Sequence, residues 1–303
     1  MAGWHRPPTE RVPARTDAVL FDLFGTLIPT GSQVTRTPNL VAMARELSVD
    51  PERFASRWLA TFDDRVRGNL GTFRETVERF ARELGGTVTR AAAERAMALR
   101  VAYARSLINA GVSSLHPLEG LRRNGVRLAL VSDTSDDTVR VWPETDFAPL
   151  FEVTVFSCVE RIRKPDPRIF RVALERLHVP PSACVFVGDG GSHELSSAES
   201  AGISAFQYIF PEEEGTAFRV DADSSWKGTR WSTFPSSSTW FKNIAQASRA
   251  ECDLSVGGRH SCRTSNDPSK ICGLYRKPPL RHLLFARKTT RPSRAGRRGC
   301  RRP

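Results

Sequence analysis

Four short stretches of the chain carry residue types suited to nucleophilic attack on phosphorus or an activated carbon. The first, FDLFGTL, ends an apolar run at Asp22 and turns at Gly25 and Thr26. A carboxylate at a strand end, ringed by backbone N–H groups, stays ionised and can attack phosphorus or an activated carbon. The second, LVSDTS, offers the Ser132 hydroxyl to a substrate oxyanion. In the third, RKPDP, Lys164 can neutralise both the Asp22 carboxylate and the charge that builds on a transferring phosphoryl group. The fourth, VFVGDGGSHE, brings Asp189 and Glu194 close together, and hard oxygen donors beside a substrate phosphate are what Mg²⁺ takes.

A lone strand-end Asp, a lone Ser or a Lys-Pro pair is more often structural than chemical, so the weight falls on the elements that present them. AVLFDLF, VRLALVS, EVTVFS, ACVFVGD and ISAFQY read as buried parallel strands, with helices over 118–124, 137–141, 167–177 and 193–201 between them. Such alternation predicts a parallel α/β sheet covered on both faces, whose ligands bind at the carboxyl ends of the strands. Most of the residues above fall there. From about 33 to 114 the pattern is helical instead. Asp50-Pro51 reads as an N-cap and first turn, Phe54, Trp58 and Phe62 share one helix face, and Phe73, Val77, Phe80 and Leu84 repeat the spacing before Gly85-Gly86. A third helix is expected after Thr89. The aromatic stripe reads as helix-to-helix core rather than a cofactor box.

Ordered in this way, the four stretches resemble the signature motifs of the haloacid dehalogenase (HAD) superfamily over about 16–230, with the helical block in the position of that family's cap. The resemblance implies a Rossmann-like parallel sheet core, 16–32 and 115–230, an inserted all-helical cap, 33–114, and a covalent aspartyl intermediate. Carried over motif by motif, it makes Asp22 the nucleophile, with Ser132 and Lys164 stabilising phosphate and intermediate. Gly25, Thr26 and Ser132 are the substrate-binding positions. Asp22, Asp189, Glu194 and the backbone carbonyl of Phe24 are the Mg²⁺ ligands. Phe24 is a departure, since family phosphatases usually place there a second Asp as general acid and base, and a missing one costs about 10² to 10⁴ in rate.

FDLFGTL is also similar to the first motif of 2-haloacid dehalogenases, whose halide leaving group needs no proton. Those enzymes use a cap arginine, for which Arg53, Arg57, Arg65 and Arg67 are the available residues. The acidic pair in GDGGSHE favours a metal-dependent phosphatase acting on a small anionic metabolite; a dehalogenase, or a small-molecule-binding protein that kept the fold, is the alternative. His193 reads as an exposed first-turn residue rather than a replacement base.

Charge is distributed unevenly. The 303 residues carry a net +12, yet from 231 onward there are 16 Lys plus Arg against 3 Asp plus Glu, leaving 29 basic and 30 acidic residues before it. Basicity that would suggest nucleic acid therefore belongs to 231–303 alone, a Ser-, Arg- and Pro-rich segment read as a low-order tail or an out-of-frame extension. No folded nucleic-acid-binding motif accompanies it, and Cys252, Cys262 and Cys272 lack the close pairing of a zinc site. Residues 1–15 read as a flexible leader. With no run of about 18 apolar residues, a cytoplasmic protein without a membrane anchor is expected.

Overall fold

The computed structural model describes residues 16–86, 88–211 and 226–231. The readings of 1–15 as a leader and of 232–303 as a tail, with the tail cysteines, lie outside them. Five of the six strands follow the apolar runs: β1 (Ala18–Phe21), β2 (Arg127–Ser132), β3 (Val153–Phe156), β4 (Cys184–Gly188) and β5 (Ser204–Tyr208). A sixth, β6 (Thr229–Trp231), was not anticipated, and it places Trp231 beside Tyr208 in the sheet instead of at the start of a tail. Phe206 and Trp231 stack with ring centroids 4.4 Å apart, which is the contact that recruits so short a segment.

All pairings are parallel, in the order β3-β2-β1-β4-β5-β6. The period-two alternation sends Val19 and Phe21 to one face and Ala18 and Leu20 to the other, and both faces are buried in separate apolar clusters. One cluster is closed by α6 (Leu115–Arg123) and α7 (Asp136–Val141), the other by α9 (Arg168–Leu177) and α10 (Glu194–Ser200). The short α8 (Ser157–Glu160) follows β3. Because β1 sits centrally between β2 and β4, the chain leaving it emerges between the loops that follow those two strands.

The chain then builds the helical insert: α1 (Gln33–Glu46), α2 (Pro51–Ala60), α3 (Phe62–Val66), α4 (Phe73–Glu83) and α5 (Arg90–Ala110). Local chemistry sets these boundaries. Asp50 caps α2 by accepting the Arg53 N–H at 2.8 Å, Thr72 and Glu75 form a capping box on α4, and Thr89 caps α5. The insert has its own core, in which Phe54–Phe80, Trp58–Phe73 and Trp58–Phe80 meet edge to face at centroid distances of 6.1–6.3 Å and Phe54 lies tilted on Trp58 at 6.0 Å. Phe54, Trp58, Phe73, Val77 and Phe80 are therefore packing, but Phe62 does not share their helix face: α2 stops at Ala60, and Phe62 opens α3, half-buried beside Arg65 and Arg163. Among the described residues no helix is long and apolar enough to cross a membrane.

Candidate active site at the strand ends

Asp22 is the first residue past β1, and its N–H continues the ladder by donating to Val187 O at 2.9 Å. That bond fixes the carboxylate next to the end of β4, where Gly188 is followed by Asp189. Lys164 reaches in from the loop between α8 and α9. Its Nζ donates to Asp22 Oδ1 and to Glu194 Oε2, each at 2.5 Å, and to Val131 O at 3.4 Å. The second oxygen of Glu194 accepts from Gly190 N at 3.0 Å, and Asp189 accepts from Gly191 N at 2.8 Å.

Each of Asp22, Asp189 and Glu194 is buried, and one oxygen from each lies within 4.8 Å of the other two. Burial pushes the Asp22 carboxyl up to about 7 and Glu194 up to about 8, in each case against the pull of Lys164; Asp189 rises to about 6 through burial and the Asp22 charge. The Lys164 ammonium is held charged by Asp22 and Glu194 despite its own burial. Fully ionised, three carboxylates would outnumber the one ammonium in a dry site, and their upward shifts follow from burial and from that crowding. An all-oxygen donor set of that charge fits a divalent cation such as Mg²⁺.

Two buried hydroxyls stand nearby in sequence, at the end of β2 and in the loop after β1. Ser132 Oγ, on the last residue of β2, and Thr26 Oγ1 are fully buried with no hydrogen-bond partner among the described residues. Orphaned buried hydroxyls cost stability unless a ligand uses them. Gly25 shapes the loop by its backbone. Its N–H goes to Ile28 O at 2.7 Å, its φ is +80°, and a Cβ there would lie 2.5 Å from Asp189 Oδ2. Glycine is what lets the β1 loop descend onto Asp189. Phe24 is half-buried, bridges to Ile28 and packs against the apolar cluster, so its side chain brings no acid or base. His193 is exposed, with its backbone at φ +49°.

The structure adds residues that the sequence did not single out. Arg163 donates to Asp133 at 3.2 Å, to Ser192 Oγ at 2.8 Å and, across to α3, to Asp63 at 2.7 Å. Asp133 in turn accepts the Lys164 N–H at 3.0 Å. This hub fixes the backbone that carries the lysine and ties it to the cap. Of the four cap arginines, Arg53 is exposed, Arg57 pairs with Glu83 and Arg67 with Asp63, while only Arg65 is buried. Arg65 Nη1 meets Ser135 Oγ at 3.3 Å, and Arg100 on α5 donates to Asp137 at 2.7 Å. Arg100 had no signal in the sequence, because an arginine in a long Ala-rich helix reads as solvated.

A doubly covered parallel sheet with an acidic and lysine-bearing cluster at its strand ends, and a helical insert after its first strand, defines a capped α/β hydrolase. Residues 16–202 match the model of the haloacid dehalogenase-like hydrolase family, and the chain belongs to that family. It is 30% identical over 203 residues to protein CbbY of Cereibacter sphaeroides, covering 62% of this chain and 81% of that protein. It is also 35% identical over 141 residues to a phosphoserine phosphatase of Thermus thermophilus, covering 45% of this chain and 54% of the other. A stretch of 70 residues is 47% identical to mouse acyl-CoA dehydrogenase family member 10, of which it spans only 6%. In fold, the chain is similar to a HAD family enzyme of Bacteroides thetaiotaomicron solved with magnesium and inorganic phosphate. That likeness has a TM-score of 0.52 at 22% identity and covers 67% of this chain and all of the other.

Proposed function

We propose that this protein is a Mg²⁺-dependent phosphatase that hydrolyses a small phosphorylated metabolite through an Asp22 phosphoaspartate. The observation that carries the reading is the Asp22–Lys164 pair at 2.5 Å, set among two further buried carboxylates. The phosphate named in the Thermus relative and held in the Bacteroides neighbour agrees with it.

Asp22 attacks phosphorus, an Asp22 oxygen–phosphorus bond forms, and the ester oxygen leaves with its electron pair and takes a proton from solvent. Water then attacks the same phosphorus, and the Asp22 carboxylate leaves as inorganic phosphate is released. Lys164 favours the ionised form of Asp22 against the effect of burial and faces the negative charge on the phosphoryl oxygens during transfer. The hydroxyls of Ser132 and Thr26, which have no partner among the described residues, donate to those oxygens. Asp22, Asp189, Glu194 and the Phe24 carbonyl would hold Mg²⁺, which when bound would neutralise charge at the phosphate. With Phe24 in place of an acid, the leaving group must be stable as an anion or be protonated by water.

A 2-haloacid dehalogenase is the second reading, favoured by Phe24 and opposed by the three-carboxylate set, which a halide displacement does not require. A panel of phosphate esters and chlorinated acids, run with and without Mg²⁺, decides between them. Activated aryl phosphate should be hydrolysed with Mg²⁺ and lose all turnover in EDTA. Metal-independent release of chloride would establish the other reading.

A further inference from the structure

Beside Lys164, in the loop between α8 and α9, the buried Arg163 divides its guanidinium among four partners. Its Nε is shared between Asp133 Oδ2 at 3.2 Å and the carbonyl of Lys164 at 3.0 Å. Nη2 donates to Ser192 Oγ at 2.8 Å, and Nη1 crosses to Asp63 Oδ1 on α3 at 2.7 Å. Three of these partners belong to the core and one to the cap. At the core end the backbone is strained. Ser192 and His193 have φ of +53° and +49°, two successive left-handed residues that are not glycine, immediately before Glu194. Such residues persist where their surroundings over-determine them, and the bond from Arg163 to the buried Ser192 hydroxyl is one such constraint. It fixes the turn from which Glu194 reaches Lys164 Nζ with one oxygen and the Gly190 N–H with the other.

The cap end is built differently. The Asp63 side chain is 55% exposed, and its other oxygen accepts from Arg67 Nε at 2.7 Å, four residues on in the cap. If α3 lifts, Asp63 keeps Arg67 and Arg163 keeps Asp133, so parting the Asp63–Arg163 pair strands no buried charge. An exposed pair with a second counter-charge adds little to the fold. It can instead register whether the cap is seated, because Arg163 passes that contact to the two segments that carry Lys164 and Glu194. We propose that Arg163 is a positioning residue. Bonded to Asp63 of the seated cap, it locks the Lys164 carbonyl and the Ser192–Glu194 turn in the arrangement that sets Lys164 Nζ and Glu194 around Asp22. The metal end of the site is therefore completed by cap seating. This deepens the phosphatase reading above and rests on it, since that reading assigns Glu194 to the metal.

Mg²⁺ binding to the full chain, titrated calorimetrically without substrate, tests the role apart from turnover. Arg163→Gln should weaken Mg²⁺ binding about 10- to 100-fold, the scale for groups that orient metal ligands. Asp63→Asn should weaken it about 3- to 10-fold, and the double variant should bind no worse than Arg163→Gln alone. Arg67→Gln, which leaves Asp63 wholly to Arg163, should bind as the parent does or more tightly. With an aryl phosphate, Asp63→Asn should raise the Mg²⁺ concentration needed for half-maximal rate, while KM for the ester stays within about twofold. A brace for the fold alone would lower the urea midpoint and leave Mg²⁺ binding by the folded protein unchanged. Parent-like Mg²⁺ binding by Asp63→Asn overturns the coupling to the cap, and losses that multiply in the double variant overturn the route through Arg163. If Arg163→Gln fails to fold, Asp63→Asn and Arg67→Gln, both at the exposed end, decide by themselves. Coupled Mg²⁺ binding without hydrolysis of any phosphate ester upholds the role of Arg163 and removes the phosphatase reading. Hydrolysis without the coupling does the reverse.

Discussion

The strand-end site and the cap-side cluster bury charge in opposite senses. At the strand ends Asp22, Asp189 and Glu194 outnumber Lys164. Under the cap Arg65 and Arg100 outnumber Asp137. Both clusters are dry, both pay for it in shifted ionisation, and neither is balanced by its own residues. A structural ion-pair network closes its charge internally, because an unpaired buried charge costs several kcal/mol. A site built to be completed by something else has no reason to. The excess is acidic at the strand ends, the floor, and basic under the cap, the roof, so the two clusters differ in the sign of the charge they bury.

Replacing Asp22, the proposed nucleophile, tests the floor most severely. Asp22→Asn should lower kcat on aryl phosphate by at least about 10⁴-fold, the scale on which single nucleophile losses fall, with the fold intact by circular dichroism. Turnover within about tenfold of the parent would show that Asp22 is one more buried carboxylate and that chemistry lies elsewhere.

The matching change in the roof breaks an ion pair rather than a reaction. Asp137 is fully enclosed; burial alone would raise its carboxyl, yet Arg100, the Ser135 hydroxyl and Arg65 hold it below the ordinary 3.8. Asp137→Asn leaves two guanidinium groups without their counter-charge and should cost about 3 kcal/mol at pH 7, read from a urea melt. A depressed carboxyl contributes stability that is complete above its unfolded value and is lost as pH falls through the folded one. The gap between parent and variant should therefore narrow in acid, below pH 3.8. A gap that stays constant down to pH 2 would mean that the Arg100–Asp137 pair holds nothing.

What the sequence disclosed follows the same division. Asp22, Lys164, Asp189 and Glu194 were legible because each ends or follows an apolar run, and a parallel sheet sends all such ends to one edge. Even the contact between Asp22 and Lys164, 142 residues apart, follows from that rule. The roof was not legible. Arg65 sits on α3, only five residues long, too short for periodicity to separate it from Arg67, which pairs at the surface. Arg100 lies on a helix whose alanines define no sharp polar face. Arg163 stood beside the lysine in RKPDP, but its bond to Asp63 on the cap depends on how the insert is seated, which local pattern does not record. In the sheet, β6 escaped notice for a related reason: three residues cannot show alternation.

Phe24 sharpens the contrast between an intact floor and its missing proton donor. It lies two residues past the nucleophile on the loop that Gly25 bends onto Asp189, half-buried against the apolar cluster. Phe24→Asp puts a carboxyl where the family places its acid and base, and should raise kcat on alkyl phosphates about tenfold, a modest share of what a well-placed acid gives. On an aryl phosphate, whose leaving group needs no proton, the gain should vanish. The lost aromatic contact should lower stability by about 1–3 kcal/mol, so the two effects are read separately, by initial rates at 25 °C and by urea melts. Equal gains on both substrates would point to a loosened loop rather than to proton transfer. No gain on either would mean that the absent acid does not limit which phosphate esters this protein turns over.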